Sequence, residues 1–343
     1  MQSEVRLLHL IPFSKKGLDW FPINVKPPVG PLIVRVQLPL APLTKTKSAN
    51  MKVYLLNDTS TVHAGSLQVM KTFEQKLKHH DIIGRYPVGP SRGSHIVSDD
   101  ILKQCDAVVI NCEGTIHHNS QNGRELLQAA RQAKHMGKKV YLLNAVYQDM
   151  DDTYNDIIAQ ADHVCAREPR SHANLLSINP NAKLMPDFCI ALDVKVNDKK
   201  PINVNSPIIY KSKCHFQAPY KHVFDDFDVP MVSVARTSFQ HIVEQYNSAD
   251  LILTGQHHGV YACAVARTPF VPTSGNTHKI ESLIQWSGIP IRVCKNSTQV
   301  KEDMLKIIND LEYRKSFELF FDFISDQKVL LNNYLDQIFN IGD

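Results

Sequence analysis

The chain predicts an α/β protein of two Rossmann-like domains, with parallel sheets facing a central cleft and a long C-terminal helix crossing back. Three observations carry this. From Met51 onward short apolar runs alternate with stretches of helical spacing, the order that builds a parallel sheet covered by helices on both faces. That order stops over residues 194–207, where Lys, Asn, Asp and Pro dominate, and then restarts. A last helical pattern runs from Thr298 to Phe339, long enough to return to the first domain.

Residues 1–50 stand apart. Pro22, Pro27, Pro28, Pro31, Pro39 and Pro42 interrupt every apolar run, which removes helices and long central strands. The segment reads as a poorly ordered extension, with a Pro-rich arm packed on the body as the alternative. Met51 is itself a candidate start, because MKVYLLN opens a domain on a strand.

The first domain spans residues 51–195. Val53–Leu56 is a strand, Asn57–Gly65 a polar loop, and Ser66–Lys78 a helix with Leu67, Met70, Phe73 and Leu77 on one face. Ala107–Asn111 is a strand running into CEGTIHH. Arg124–Met136 is a helix closed by Gly137, as the preference for Gly just past a helix end predicts. Lys139–Asn144 is a strand, Thr153–Ala161 a helix, and His163–Ala166 a strand leading into REPR. Ser171 is expected to cap a helix through Leu176.

The second domain spans residues 205–297. Ile208–Tyr210 is a strand ending at Lys211, Met231–Val234 a strand ending at Arg236, and Phe239–Asn247 a helix. Its centre is ADLILTGQHHGVYACAVARTPFVPTSGNTHKIESLIQWSG, residues 249–288. Leu251–Leu253 is a buried strand, Thr254–Gly259 a corner, and the small residues that follow suit a helix packed tightly on the sheet. A second strand, Pro269–Val271, leads to a second corner and the helix around Ile280, Leu283, Ile284 and Trp286. Pro290–Cys294 is read as a last strand. Both corners fall at the carboxyl edge of the sheet, where open α/β sheets bind ligands and helix N-termini favour anions.

Composition narrows the classes. Net charge is +4, with 38 Lys and Arg spread among 34 Asp and Glu, so no basic patch indicates a nucleic-acid partner. Seven Cys, an odd number without a CxxC pair, fit reduced thiols in the cytoplasm. No apolar run approaches the roughly twenty residues of a membrane span. Phe317, Phe320, Phe321 and Phe323 leave peripheral membrane contact open, against burial between the domains. His117 and His118 lack a carboxylate or thiol at a recognised ligand spacing, so no metal is expected.

The motifs CEGTIHH, AREPRSHANL, MPDFCIAL and LTGQHHGVYACAVARTPFVPTSGNTHKIESL, in that order, resemble the polysaccharide pyruvyl transferase family over roughly Met51 to Gly288. The layout of two Rossmann-like halves is GT-B-like. The resemblance implies transfer of a pyruvyl group from phosphoenolpyruvate to sugar hydroxyls of a cell-surface polysaccharide or its precursor, forming a ketal, without a cofactor. Its partners would be phosphoenolpyruvate and a glycan or lipid-linked oligosaccharide, in the cytoplasm or at the inner face of the membrane.

His258 matches the family's functional His and is expected to act as acid or base, with Glu113 binding or deprotonating the acceptor. His257 points elsewhere on its helix. Thr254, Gly255, Gln256, Gly259, Arg236, Ser274, Asn276 and Lys279 are expected on the donor side. Asn57, Asp58, Gly65, Gly114, Thr115, His118 and Arg167 are expected on the acceptor side, Arg167 having a pair with Glu168 as its competing fate. One position departs from the family, which carries Arg, any residue, His, Gly where this chain has Gln256, His257, His258 and Gly259. A Gln donates hydrogen bonds but cannot neutralise a carboxylate or phosphate. Either another cation replaces the Arg, with Arg236, Lys211 and Lys279 as candidates, or the donor has changed. A GT-B glycosyltransferase using a nucleotide sugar and a silent carbohydrate-binding relative are the alternatives.

Overall fold

Burial on both faces of the strands decides the architecture. In the computed structural model, which describes residues 50–87, 97–213 and 217–339, Val53 and Leu55 of the first strand enter one core while Tyr54 and Leu56 enter another. A strand covered on both sides belongs to a parallel sheet between helices. The reading of residues 1–49 lies outside the described residues.

The first half runs β1 (Lys52–Asp58), α1 (Ala64–Lys76), β2 (Asp81–Pro87), α2 (Asp99–Gln104), β3 (Ala107–Asn111), α3 (Gln121–His135), β4 (Lys139–Ala145), α4 (Asn155–Gln160), β5 (His163–Ala166), α5 (Pro169–Leu176) and β6 (Lys183–Leu184). Its strands form one sheet in the order β2-β1-β3-β4-β5-β6, every pair parallel. The second half runs β7 (Ile209–Ser212), β8 (Met231–Val232), α6 (Phe239–Ser248), β9 (Leu251–Thr254), α7 (His257–Val265), β10 (Phe270–Pro272) and α8 (Lys279–Ser287). These strands form a second parallel sheet, β10-β9-β7-β8.

Then come α9 (Ser297–Asn309) and α10 (Leu311–Ile338). The continuous helix expected there is broken at Asp310, whose extended backbone ends α9 and whose carboxylate caps α10 by accepting from Tyr313. At 1.5 Å per residue, α10 is about 42 Å long and reaches both halves. Near its start Phe317 and Phe320 pack edge-on to Phe270 of β10, and near its end Lys76 of α1 pairs with Asp336 at 2.6 Å. Phe317, Phe320 and Phe321 are core residues, and Phe323 packs on Trp286. No helix among the described residues is long and apolar enough to cross a membrane.

Other local readings change. Glu168, not Ser171, caps α5, accepting from the backbone of Arg170 and Ser171; Ser171 lies inside the helix. Residues 290–294 make no strand, only an isolated bridge from Cys294 to Thr273, and Pro290 has no N–H to give a ladder. β8 keeps two residues of the four expected. β2 escapes a reading by pattern because it is an edge strand, half exposed, with Gly84 in its middle.

Candidate active site

The carboxyl ends of β1, β3 and β5 meet the first corner of the second half in a cleft of about 220 Å³. The corner is built by Thr254. Its buried hydroxyl takes a hydrogen bond from Ser212 at 2.7 Å and one from the Gln256 backbone at 3.2 Å, so it organises the turn rather than facing a ligand. Gly259 permits this: a Cβ there would sit 2.4 Å from the Thr254 hydroxyl. Gly65, in the first turn of α1, permits the approach of the other half, since a Cβ would lie 2.3 Å from the His258 ring.

Glu113 follows β3 in the left-handed region, at φ 35, a conformation that costs a non-glycine residue energy and recurs at functional sites. Its buried carboxylate accepts from Ser66 Oγ at 2.6 Å and from Asn111 Nδ2 at 3.3 Å. Asn57, also left-handed, is spent on the Asn111 carbonyl and the Thr115 hydroxyl. Asp187 turns the chain after β6, accepting from the Cys189 backbone, while its own N–H donates to the Tyr261 hydroxyl across the halves. Arg167, at the end of β5, forms a buried pair with Asp187 and not with Glu168. Arg167 Nη2 would lie 3.3 Å from a Cβ at Gly114, so that glycine lets the guanidinium in.

Histidines from α7 complete the cluster. His258 Nε2 lies 3.2 Å from Asp187 Oδ2, an ion pair when the ring is protonated, and 3.7 Å from Glu113 Oε1; among the described residues it makes no well-aligned hydrogen bond. His257, expected to point away, also lines the cleft. It is buried, 3.8 Å from Asp187, with neither ring nitrogen hydrogen-bonded among the described residues. Leaving a buried polar atom unpaired costs about 1–3 kcal/mol, so three such nitrogens mark a site held ready for a ligand.

Burial alone would raise the two acids. His258 and, beside it, Arg167 outweigh it and hold Asp187 well below the usual carboxylate range; His258, His63 and Arg167 with the Ser66 hydroxyl lower Glu113 below its ordinary value. Burial, then Arg167, push His257 well down. Lys279 is lowered to about 7 by burial and by Arg167.

The cations proposed to replace the missing Arg separate cleanly. Lys211 is taken up by the carbonyls of Phe224 and Phe227, and Arg236 is exposed and outside the cleft lining. Lys279 lines the cleft with Asn276, Gly255 and Gln256; its ammonium bonds only the neutral oxygens of Asn276 and Thr277 among the described residues. Ser274 is spent on Glu281. Asp58 caps the turn at Ser60, and His118 is exposed beside Asp149, so neither joins the cluster. His63, His257, Ser66 and Asp187 do join it. His63 and Ser66 belong to the strand-to-helix loop that reads, with Asn57, Asp58 and Gly65, as an acceptor edge, and His257 to the first corner; Asp187 lies in the MPDFCIAL motif but carried no expected role.

A metal fits this set poorly. His63, Glu113 and His258 bring ligand-type atoms within 4.8 Å of one another, as do Asp187, Cys189 and His258, but burial pushes the Cys189 thiol well up, against the thiolate a metal needs, and Asp187 is paired with Arg167. Nδ1 of His63, however, accepts from the Ser66 backbone at 3.2 Å, and Arg167 and Lys279 already supply positive charge.

The polysaccharide pyruvyl transferase family model matches residues 54–277. No curated protein matches the chain in sequence. Among solved structures, the co-structure of S. aureus MnaA with UDP is similar at a TM-score of 0.50 and 12% identity, covering 78% of this chain and 90% of that one. The glycotransferase of kitacinnamycin is similar at a TM-score of 0.50 and 10% identity, covering 84% of this chain and 99% of that one. These likenesses establish a GT-B-like fold and nothing about ligands.

Proposed function

Because the chain belongs to the polysaccharide pyruvyl transferase family, we propose that it transfers the pyruvyl group of phosphoenolpyruvate to two hydroxyls of a glycan, as a cytoplasmic enzyme without a metal. The observation that carries the donor is Lys279. It is a buried ammonium in the cleft with no carboxylate partner among the described residues, placed where a carboxylate or phosphate would neutralise it. Charge-assisted bonds of this kind are about twice as strong as neutral ones, so Lys279 offsets what Gln256 cannot supply.

The reaction then uses two proton carriers. A proton adds to the methylene carbon, one sugar oxygen bonds to the adjacent carbon and loses its proton to the base, and the second hydroxyl oxygen closes the ketal by displacing phosphate, its proton leaving with the phosphate. His258 and Glu113, 3.7 Å apart, face the same space and divide this proton traffic.

Titration of the purified protein with phosphoenolpyruvate, followed by thermal stabilisation, tests the reading. Saturable binding is expected, weakened about 10- to 100-fold in Lys279→Met. Because the ammonium is lost as pH rises through about 7, affinity should fall on the alkaline side. Stabilisation by uridine or cytidine diphosphate, with none by phosphoenolpyruvate, would overturn the donor in favour of a nucleotide sugar.

A further inference from the structure

His63 caps α1, its Nδ1 accepting the backbone N–H of Ser66 at 3.2 Å. A nitrogen that accepts carries no proton, so in the neutral ring the proton sits on Nε2. That nitrogen lies 3.4 Å from Ser66 Oγ. The Ser66 hydroxyl proton is directed to Glu113 Oε1 at 2.6 Å, which leaves its lone pairs for the imidazole N–H. Asn111 Nδ2, a group that only donates, fills the other Glu113 oxygen at 3.3 Å. The helix cap thus fixes the direction of every bond in the chain, from ring to hydroxyl to carboxylate.

We propose that His63 and Ser66 form a one-way hydrogen-bond relay that keeps Glu113 ionised and makes it the proton acceptor of the site, leaving His258 as the proton donor. Both are positioning residues, acting on the reaction through Glu113; the assignment of acid and base rests on the pyruvyl-transfer reading, whereas the relay does not. The other groups acting on Glu113 or sharing its pocket are His258, Arg167, Lys279, Asp187 and Cys189, and none of them donates to its oxygens. The same lock withholds His63 Nε2 from a metal, since a ligand nitrogen must be unprotonated.

The test separates the cap from the donor. His63→Asn keeps an acceptor at the Nδ1 position, in a residue favoured at helix caps, and removes the Nε2 proton. Ser66→Ala removes the hydroxyl. In protein carrying ¹³C-labelled Glu, with the Glu113 signal assigned by its loss in Glu113→Gln, the carboxylate midpoint is read directly without substrate. It should rise by about one pH unit in Ser66→Ala and by about half of that in His63→Asn, the latter melting like the parent at neutral pH. The acid limb of phosphate release from phosphoenolpyruvate should move with it. A midpoint unmoved in both variants overturns the relay, and one moved only by Ser66→Ala removes His63 from it. A zinc-dependent rise in melting temperature that His63→Asn abolishes overturns the tautomer lock. A midpoint that moves as expected, with no phosphate released by the parent protein, supports the relay and overturns the donor reading instead.

Discussion

The two halves of the molecule meet twice through the same chemistry, a carboxylate of the first half against a histidine of the second, and the two junctions are built in opposite ways. Between α5 and α8, buried Glu168 accepts from the backbone of Arg170 and Ser171, and His278 Nε2 lies 3.1 Å away. The His278 backbone donates to Gln148, and Arg170 N–H also reaches Ser282 Oγ at 3.1 Å. In the cleft, His258 stands 3.2 and 3.7 Å from its two carboxylates without a well-aligned hydrogen bond, and neither nitrogen of His257 is hydrogen-bonded among the described residues. A satisfied junction stabilises; an unsatisfied one is kept so for a third party. Sequence composition does not separate the two, but hydrogen-bond accounting does.

The sharpest way to break this comparison is Gly65→Ala. The added methyl would overlap the His258 ring at 2.3 Å, displacing it from Glu113 and Asp187 without removing any titratable group. Phosphate release should fall by about 10²–10⁴-fold, as for loss of a positioned proton carrier and as in His258→Ala. An activity within tenfold of the parent would show that the His258 position is structural.

Acid should open the cleft before it touches the other junction. Burial, with His258 behind it, lowers His63 from 6.5 to about 4. The unfolded chain therefore takes up the proton first, and stability is full above pH 6.5 and is lost as pH falls toward 4. At 1.36 kcal/mol per pH unit this amounts to about 3 kcal/mol, and His257, lowered well below its ordinary value, acts in the same direction. Glu168 is also lowered: its contribution is full above the ordinary Glu value near 4.3 and is lost only below it. Urea unfolding of the parent between pH 7.5 and 4.5 should show the loss, and His63→Asn should show less of it. Equal losses in both proteins would remove His63 from the acid response.

How much of this was legible beforehand follows from local and non-local signals. The buried strands β1, β3, β5 and β9 are short apolar runs that announce themselves, and β3 and β5 fall at the residues expected. β2 does not, because an edge strand with half its surface exposed and a Gly in it carries neither a continuous run nor a clean alternation. In the cleft, Glu113, His258, Gln256 and Lys279 lie at strand or helix ends that a corner motif points to. Asp187 lies in a loop, and its value comes from three groups distant in sequence, Arg167, His258 and the Tyr261 hydroxyl. His63 was visible as a loop residue, but its tautomer depends on the start of α1, two residues earlier than the sequence pattern put it. Arg167 shows the same limit: the neighbouring Glu168 offered a local partner, yet Glu168 is consumed by capping α5 and the guanidinium turns to Asp187.

The smallest expected effect falls at the satisfied junction and closes the comparison from the other side. His278→Ala removes one bond to Glu168 but leaves the two backbone donors of Arg170 and Ser171 in place, so the carboxylate is only partly deprived. The loss should be about 1–2 kcal/mol, a fall of a few degrees in melting temperature for a chain of this size. Phosphate release at 25 °C should stay within a few-fold of the parent, because the contacts of the His258, Glu113 and Lys279 side chains are made to other residues than the His278 imidazole. If instead catalysis fell with the melting temperature unchanged, the α5–α8 contact would belong to the site, acting through Asn276 and Lys279 just beside it. The distinction between a junction that holds and a junction that works would then have to be drawn along the chain of α8 rather than between the two histidines.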